Sequence, residues 1–156
     1  MNLFLDSHQE LIVMLLRHNV DFIIIGGYAV IFHGYHRTTG DVDIWLKPEN
    51  DNKWKLLKAL EDFGIEDEAM RELAKLDFEH HLAFHIGSEP EKIEFLTHIS
   101  GVQFDEANRE KILADIDLLK IPFLHFNHLI LSKINTGRLK DQADIEELQK
   151  IHAYKK

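Results

Sequence analysis

The sequence contains no cysteine. That removes disulfides, thiolate nucleophiles and zinc–thiolate sites from consideration, and it suits a reducing compartment. Positive charge is also scarce. Eighteen Lys and Arg face 27 Asp and Glu, for a formal net charge of −9 with His neutral. An acidic surface repels phosphate backbones, so broad nonspecific nucleic-acid binding is not expected, although a local basic patch can still hold a nucleotide or an RNA end. No apolar run is long enough to span a bilayer. The opening MNLFLDSHQELIVMLLRHNV carries acid ahead of its apolar run and lacks a small-residue cleavage site, so it reads as an amphipathic helix and not as a signal peptide. A cytoplasmic location is the expectation. There is no P-loop, G-x-G-x-x-G, G-x-S-x-G or H-E-x-x-H. The eleven histidines include His33-x-x-His36, His80-His81 and His125-x-x-His128, none of which completes a zinc-ligand pattern.

What is present fits one domain over residues 1–156, with enough chain for a sizeable core. Ser7-x-x-Glu10 has the form of a capping box and predicts a helix to about Asn19. Asp21 to Ile25 predicts a buried strand. Gly27 to Phe32 predicts a short helix closed by Gly34. Asp41 to Leu46 predicts a second strand, and Pro48-Glu-Asn-Asp51 a helix start running to Phe63 and Gly64. A further helix is expected over Glu66 to Lys75. Leu82 to Ile86 and Lys92 to His98 predict an antiparallel hairpin. Phe104 to Glu110 predicts a short helix. Ile112 to Phe126 predicts one or two strands, with Pro122 favouring an edge. Asn127 is a candidate cap for a helix through Asn135, and Asp141 to Tyr154 predicts a last helix with Ile145, Leu148 and Ile151 as its core stripe. Helices and strands mixed in this way give an α/β or α+β sheet domain.

The stretch from Phe22 to Leu46 carries the chemistry. Side chains alternate along a strand, so Asp41 and Asp43 point the same way while Val42 and Ile44 enter the core. Adjacent carboxylates repel unless a cation lies between them. A divalent ion suits that place, and hard oxygen ligands suit magnesium. The spacing alone is equally compatible with a solvated strand edge. Gly26 and Gly27 end one strand and open a helix, where backbone N–H groups can cradle a phosphate. The bland alternative is a tight strand-to-helix turn. A phosphate cradle beside a carboxylate pair describes phosphoryl or nucleotidyl transfer.

Gly26-Gly27-x-Ala29, His33-Gly34, Arg37-x-Thr39 and Asp41-x-Asp43 resemble the signature of the DNA polymerase beta superfamily of nucleotidyltransferases, especially its small prokaryotic members. The resemblance implies a nucleotidyltransferase fold, a small mixed sheet flanked by helices with the site at one sheet edge. It also implies transfer of a nucleoside monophosphate from an NTP, with ATP the expected one, to a hydroxyl on a protein, a tRNA end or a small molecule. The family usually carries a third carboxylate as aspartate. Lys92-Ile-Glu94-Phe-Leu96 aligns Glu94 with it, one methylene longer. Asp41, Asp43 and Glu94 are thus the implied catalytic carboxylates and the ligands of Mg2+ or Mn2+. Leu129-x-x-x-Lys133 followed by Gly137-Arg138-x-Lys140-Asp141-x-x-Asp144 also looks like the family. It marks Lys133 as a triphosphate contact and Asp141 and Asp144 as structural. Arg37 and Thr39 are candidate nucleotide contacts; the alternative is that Arg37 locks the carboxylate loop and Thr39 supports it by hydrogen bonding. The rival reading is an antitoxin-like module that binds a toxin-like partner protein with little turnover.

Overall fold

The structure is a computed structural model and describes residues 3–134 and 136–154. Six strands form one mixed sheet. They are β1 (Phe22–Ile25), β2 (Val42–Leu46), β3 (Ala83–Ile86), β4 (Ile93–Leu96), β5 (Ile112–Ile116) and β6 (Leu119–Phe123). The order across the sheet is β3-β4-β2-β1-β6-β5. β1 runs antiparallel to β2, and β2 parallel to β4. The helices are α1 (Asp6–Arg17), α2 (Gly26–Phe32), α3 (Asn50–Phe63), α4 (Asp67–Ala74), α5 (Phe104–Glu110), α6 (Phe126–Ile134) and α7 (Leu139–Tyr154). No helix among the described residues is long and apolar enough to cross a membrane.

β1 is buried along its whole length, as its run of isoleucines requires of a central strand covered on both faces. On one face, Phe78, Phe84 and Phe95 form a chain of ring contacts. On the other, Trp45 meets Phe104 of α5 edge to face at 5.2 Å. α1 and α3 add Leu11, Ile12, Leu15, Leu56 and Leu60 to the same core. Asp43 and Trp45 share a face, which places Asp43 on the side covered by α5.

Several expectations change. α1 begins at Asp6, with Leu5 as its N-cap and no capping side chain, so Ser7 and Glu10 are not a capping box. Glu49 likewise precedes α3 without a side-chain cap. The Asn50 side chain instead accepts the Phe78 N–H at 2.9 Å. α6 begins before Asn127, whose N–H is accepted by His125 Nδ1 at 3.0 Å, so His125 does the capping. The expected end of that helix at Asn135 lies outside the described residues. Pro122 is not on an edge strand, since β6 lies between β1 and β5. The reason is that β1 and β6 pair only around Ile24 and Phe123. The Leu124 N–H bonds Ile24 O there. N–H groups alternate in direction along a strand, so the donor that Pro122 lacks would fall just past the end of this short ladder.

Asn52 on α3 is 2% exposed and ties the helix to two strand ends. It accepts the Asp21 N–H at 2.8 Å and donates to Asp21 O and Lys47 O at 2.9 and 3.2 Å. Asn52→Ala strands the Asp21 N–H and the Lys47 carbonyl, while the Asp21 carbonyl keeps the Lys47 N–H, and should cost about 2 kcal/mol. Urea unfolding should show this as a lower midpoint at unchanged slope.

Candidate active site

The sheet register builds the site. Asp43 pairs with Ile25 on one side and with Glu94 on the other, and Glu94 pairs with His85. Residues paired across strands point to one face, so His85, Glu94 and Asp43 form a row that ends where α2 begins. His85 is on the edge strand β3, but the two carboxylates of the row lie on interior strands, near their ends, and not at a sheet edge. β2 and β4 carry the carboxylates, and both have neighbours on each side.

Gly26 sits beneath Asp43 with φ +67°, and a Cβ there would overlap the carboxylate atom Oδ2. Gly27 is packed in the same way against Thr39, whose Oγ1 would lie 2.6 Å from a Cβ. The glycine pair therefore lets Asp43 and the Thr39 loop approach the start of α2. Asp41 lies just before β2. One of its carboxylate oxygens accepts the Lys92 N–H at 3.1 Å, and its carbonyl accepts the Thr39 hydroxyl at 3.2 Å. Burial, then the charges of Glu94 and Asp41, push the Asp43 carboxyl up to about 6, against a smaller pull from Lys133 and Lys140.

A cavity of about 340 Å3 opens at this row. Gly26, Asp43 and Glu94 form one wall, and Ser132, Lys133, Thr136 and Arg138 the opposite one. His98 and Ser100 continue the β4 side. Of the residues expected at the site, the cavity brings together Gly26, Asp43, Glu94 and Lys133. Gly27 and Asp41 are outside its lining, Gly27 in α2 and Asp41 just before β2, and Arg37 and Thr39 line a separate cavity with Tyr28 and Ile31. His98, Ser132 and Thr136 are additions. The sequence signal for His98 is its parity with Glu94 and Leu96, and Ser132 and Thr136 flank Lys133 on the same turns. His98 stacks on His81 with ring centroids 3.7 Å apart. Burial, then His81, lower its affinity for a proton.

The cations are not bare. Lys133 Nζ lies 2.9 Å from Asp141 and 3.1 Å from Asp144. Arg37 donates to both Asp144 oxygens at 3.0 and 3.2 Å. Arg138 donates to Asp141 at 2.7 Å. Asp141 and Asp144 are 2% and 1% exposed. Burial alone would raise the Asp141 carboxyl, but Thr136, Lys133 and Arg138 hold it below the usual range. The cluster joins three cations to two carboxylates, but Arg37 reaches Asp144 from behind the cavity, and the two cations that line it, Lys133 and Arg138, are balanced by Asp141 and Asp144. Arg37 thus locks the 37–41 loop to α7, and Asp141 and Asp144 act as buried acceptors.

Hard, crowded, partly buried oxygens with a surplus of negative charge fit a divalent cation. Among the described residues no group of three or more His, Asp or Glu side chains is already drawn together as a metal cluster. Asp41 and Asp43 are the pair nearest to that role, with Glu94 beside them in register.

The raised carboxyl has a consequence for stability. The folded state holds the Asp43 proton up to about pH 6, whereas the unfolded chain releases it near the ordinary aspartate value of 3.8. The favourable contribution is therefore complete below pH 4 and lost as pH rises through 6. Asp43→Asn removes that loss. The variant should match wild type at pH 4 and exceed it by about 2 kcal/mol at pH 8 without added metal. Melting curves at the two pH values check this. An Asp43→Asn protein that melts earlier at both would make Asp43 a purely structural residue.

The geometry can now be set beside known proteins. No curated protein sequence matches the chain. Among solved structures, a candidate nucleotidyltransferase from Thermotoga maritima superposes with a TM-score of 0.60 at 13% identity, over 92% of this chain and 90% of that one. The lincosamide antibiotic adenylyltransferase LnuA, bound to lincomycin, superposes with a TM-score of 0.59 at 16% identity, over 97% and 99%. At these identities the likeness is one of fold. A family model described as "Nucleotidyl transferase of unknown function (DUF2204)" matches residues 5–156, and with the carboxylate row in place the chain belongs to that nucleotidyl transferase family.

Proposed function

We propose that this protein moves a nucleoside monophosphate from an NTP, ATP in the first instance, to a hydroxyl acceptor. The observation that carries the reading is the Asp43–Glu94 pair in register over Gly26, facing Lys133 and Arg138 across the cavity. Asp41 and Asp43 would hold Mg2+ or Mn2+, with Glu94 as the third carboxylate. When bound, the ion neutralises triphosphate charge and acidifies the acceptor hydroxyl.

The chain's own groups do the rest. Lys133 and Arg138 line the opposite wall and bind the β and γ phosphates. Ser132 and Thr136 add hydroxyl donors there. Gly26 offers close approach beside Asp43. The acceptor enters from the β3–β4 side, where Glu94 is 34% exposed. Its oxygen forms a bond to the α-phosphorus, and the bond from that phosphorus to the β-bridging oxygen breaks. Pyrophosphate leaves with the electron pair, and the acceptor proton passes to Glu94 and on to solvent. Positioning and charge stabilisation provide the rate enhancement. The acceptor class is a protein side chain, a tRNA end or a small molecule, and LnuA, an antibiotic adenylyltransferase of similar fold, favours testing small molecules first.

Calorimetry should show ATP binding with Mg2+ and at least tenfold weaker binding without it. Equal binding in both conditions would remove the ion from the account. Glu94→Gln should reduce label transfer from α-labelled ATP in lysate by about a hundredfold or more while sparing ATP binding. Glu94→Asp should retain transfer. If wild type labels nothing with any common NTP yet holds a partner protein tightly, an antitoxin-like binding role replaces catalysis.

A further inference from the structure

One fully buried polar group is left over by this scheme. His8 on α1 is 0% exposed and lies beside Tyr28, which is 2% exposed. Its Nε2 is 3.0 Å from the Glu91 carbonyl oxygen, and its Nδ1 is 3.1 Å from the Tyr28 hydroxyl. A carbonyl only accepts, so Nε2 carries a hydrogen. The Tyr28 oxygen also faces the backbone N–H of Leu5, which only donates. With His8 neutral the direction is fixed: Leu5 N–H to Tyr28, Tyr28 O–H to His8 Nδ1, His8 Nε2–H to Glu91 C=O.

The next link is covalent. The carbonyl of Glu91 and the N–H of Lys92 belong to one peptide plane, and that N–H donates to Asp41 Oδ1 at 3.1 Å. A trans peptide is rigid, and its C=O and N–H point in opposite directions. The one cis bond among the described residues is Glu89-Pro90, so the Glu91–Lys92 plane is trans. It has His8 at one end and the Asp41 carboxylate at the other. Aligned hydrogen bonds of this kind polarise one another. The two loops also touch directly: a Cβ on Gly40 would overlap the Pro90 carbonyl oxygen.

We propose that His8 is a positioning residue of the active site, holding the Glu91–Lys92 peptide plane that in turn orients the Asp41 carboxylate. This rests on the reading of Asp41 as a metal-binding carboxylate. A packing role alone would be served by an apolar residue of similar size, without the cost of burying two ring nitrogens.

The test uses the full chain. Lys92 amide exchange is followed by NMR without metal, with the Leu124 amide, bonded to Ile24 O, as the internal reference. Mn2+ affinity is measured in parallel from the free-ion EPR signal. His8→Phe keeps the bulk and removes both nitrogens. It should speed Lys92 exchange about tenfold relative to Leu124, and weaken Mn2+ binding about tenfold. His8→Gln restores a donor to the Glu91 carbonyl and should recover part of both. Tyr28→Phe removes a single hydroxyl and should give the same two changes in smaller measure, which keeps the test open if His8→Phe does not fold. Unchanged Lys92 protection relative to Leu124 in the variants would overturn the proposal. So would lost protection with Mn2+ affinity intact. If wild type and Asp41→Asn bind Mn2+ equally, the metal reading of Asp41 fails instead, and the exchange data, taken without metal, still decide whether His8 holds the plane.

Discussion

The structure is organised around one unfavourable contact, the partly buried Asp43 carboxylate between Asp41 and Glu94. Burial raises the proton affinity of the central group, and the like charges on either side raise it further. Such a contact persists only where the surroundings fix it. Asp43 cannot retreat toward α2, because the start of that helix is already pressed against it at Gly26. It cannot rotate to the other face of β2, because Val42 and Ile44 lock the strand parity by filling the core. Asp41 is held by a backbone donor. The apolar core supplies the surplus stability against which this local cost is set, a pattern typical of sites selected for chemistry.

The opposite wall is built the other way, with carboxylates buried so that cations can be placed. Asp141 and Asp144 occupy the inner face of α7 at i and i+3, where Leu148 follows. Each is matched by charge-assisted hydrogen bonds, Asp141 to Lys133 and Arg138, Asp144 to Lys133 and Arg37. Loss of either acid would leave the buried Lys133 with one carboxylate instead of two, and loss of Asp144 would also strip the largely buried Arg37 of its carboxylate, which is far more destabilising than the pair is stabilising. The same two residues therefore connect three pieces: the α6 wall through Lys133, the 136–138 turn through Arg138, and the carboxylate loop through Arg37. The separation of the two charged walls is set by α7, which contributes no side chain to the cavity. In a chain with net charge −9, an anionic substrate depends on these locally placed cations, since the long-range field opposes its approach.

Much of this was legible in the sequence because it follows from short-range rules. Strand parity put Asp41 and Asp43 together and the glycine pair marked the close approach, while Glu94 came from the resemblance, which aligned it with the family's third acid on a neighbouring strand. What escaped depends on contacts far apart in the chain. Nothing near Pro122 shows that β6 inserts beside β1, because the proline is tolerated through the shortness of one ladder. The α7 pattern hides its own inner face, since Asp141 and Asp144 read as polar positions until their partners are known. The false capping box over Ser7 arose because Leu5 satisfies its backbone through Tyr28, and no spacing rule reports that. His8 was one histidine among eleven, and only its burial distinguishes it.

Lys92 shows why a glutamate can stand where the resembled family has aspartate. Its N–H holds Asp41, its carbonyl accepts the Val42 N–H at 3.0 Å, and its Nζ lies 3.9 Å from Glu94 Oε2. Lys92, just before β4, and Glu94 on it are two apart in extended backbone and share a face. An aspartate at position 94 would withdraw its carboxylate by one methylene from that ammonium and from the cavity. The longer side chain keeps the charge between Lys92 and Asp43, near enough to both to raise the Asp43 carboxyl. One residue thus restrains both outer carboxylates, by backbone on one side and by side chain on the other. The central one is left as the acid whose charge is least compensated, which is the position from which a bound cation would gain most.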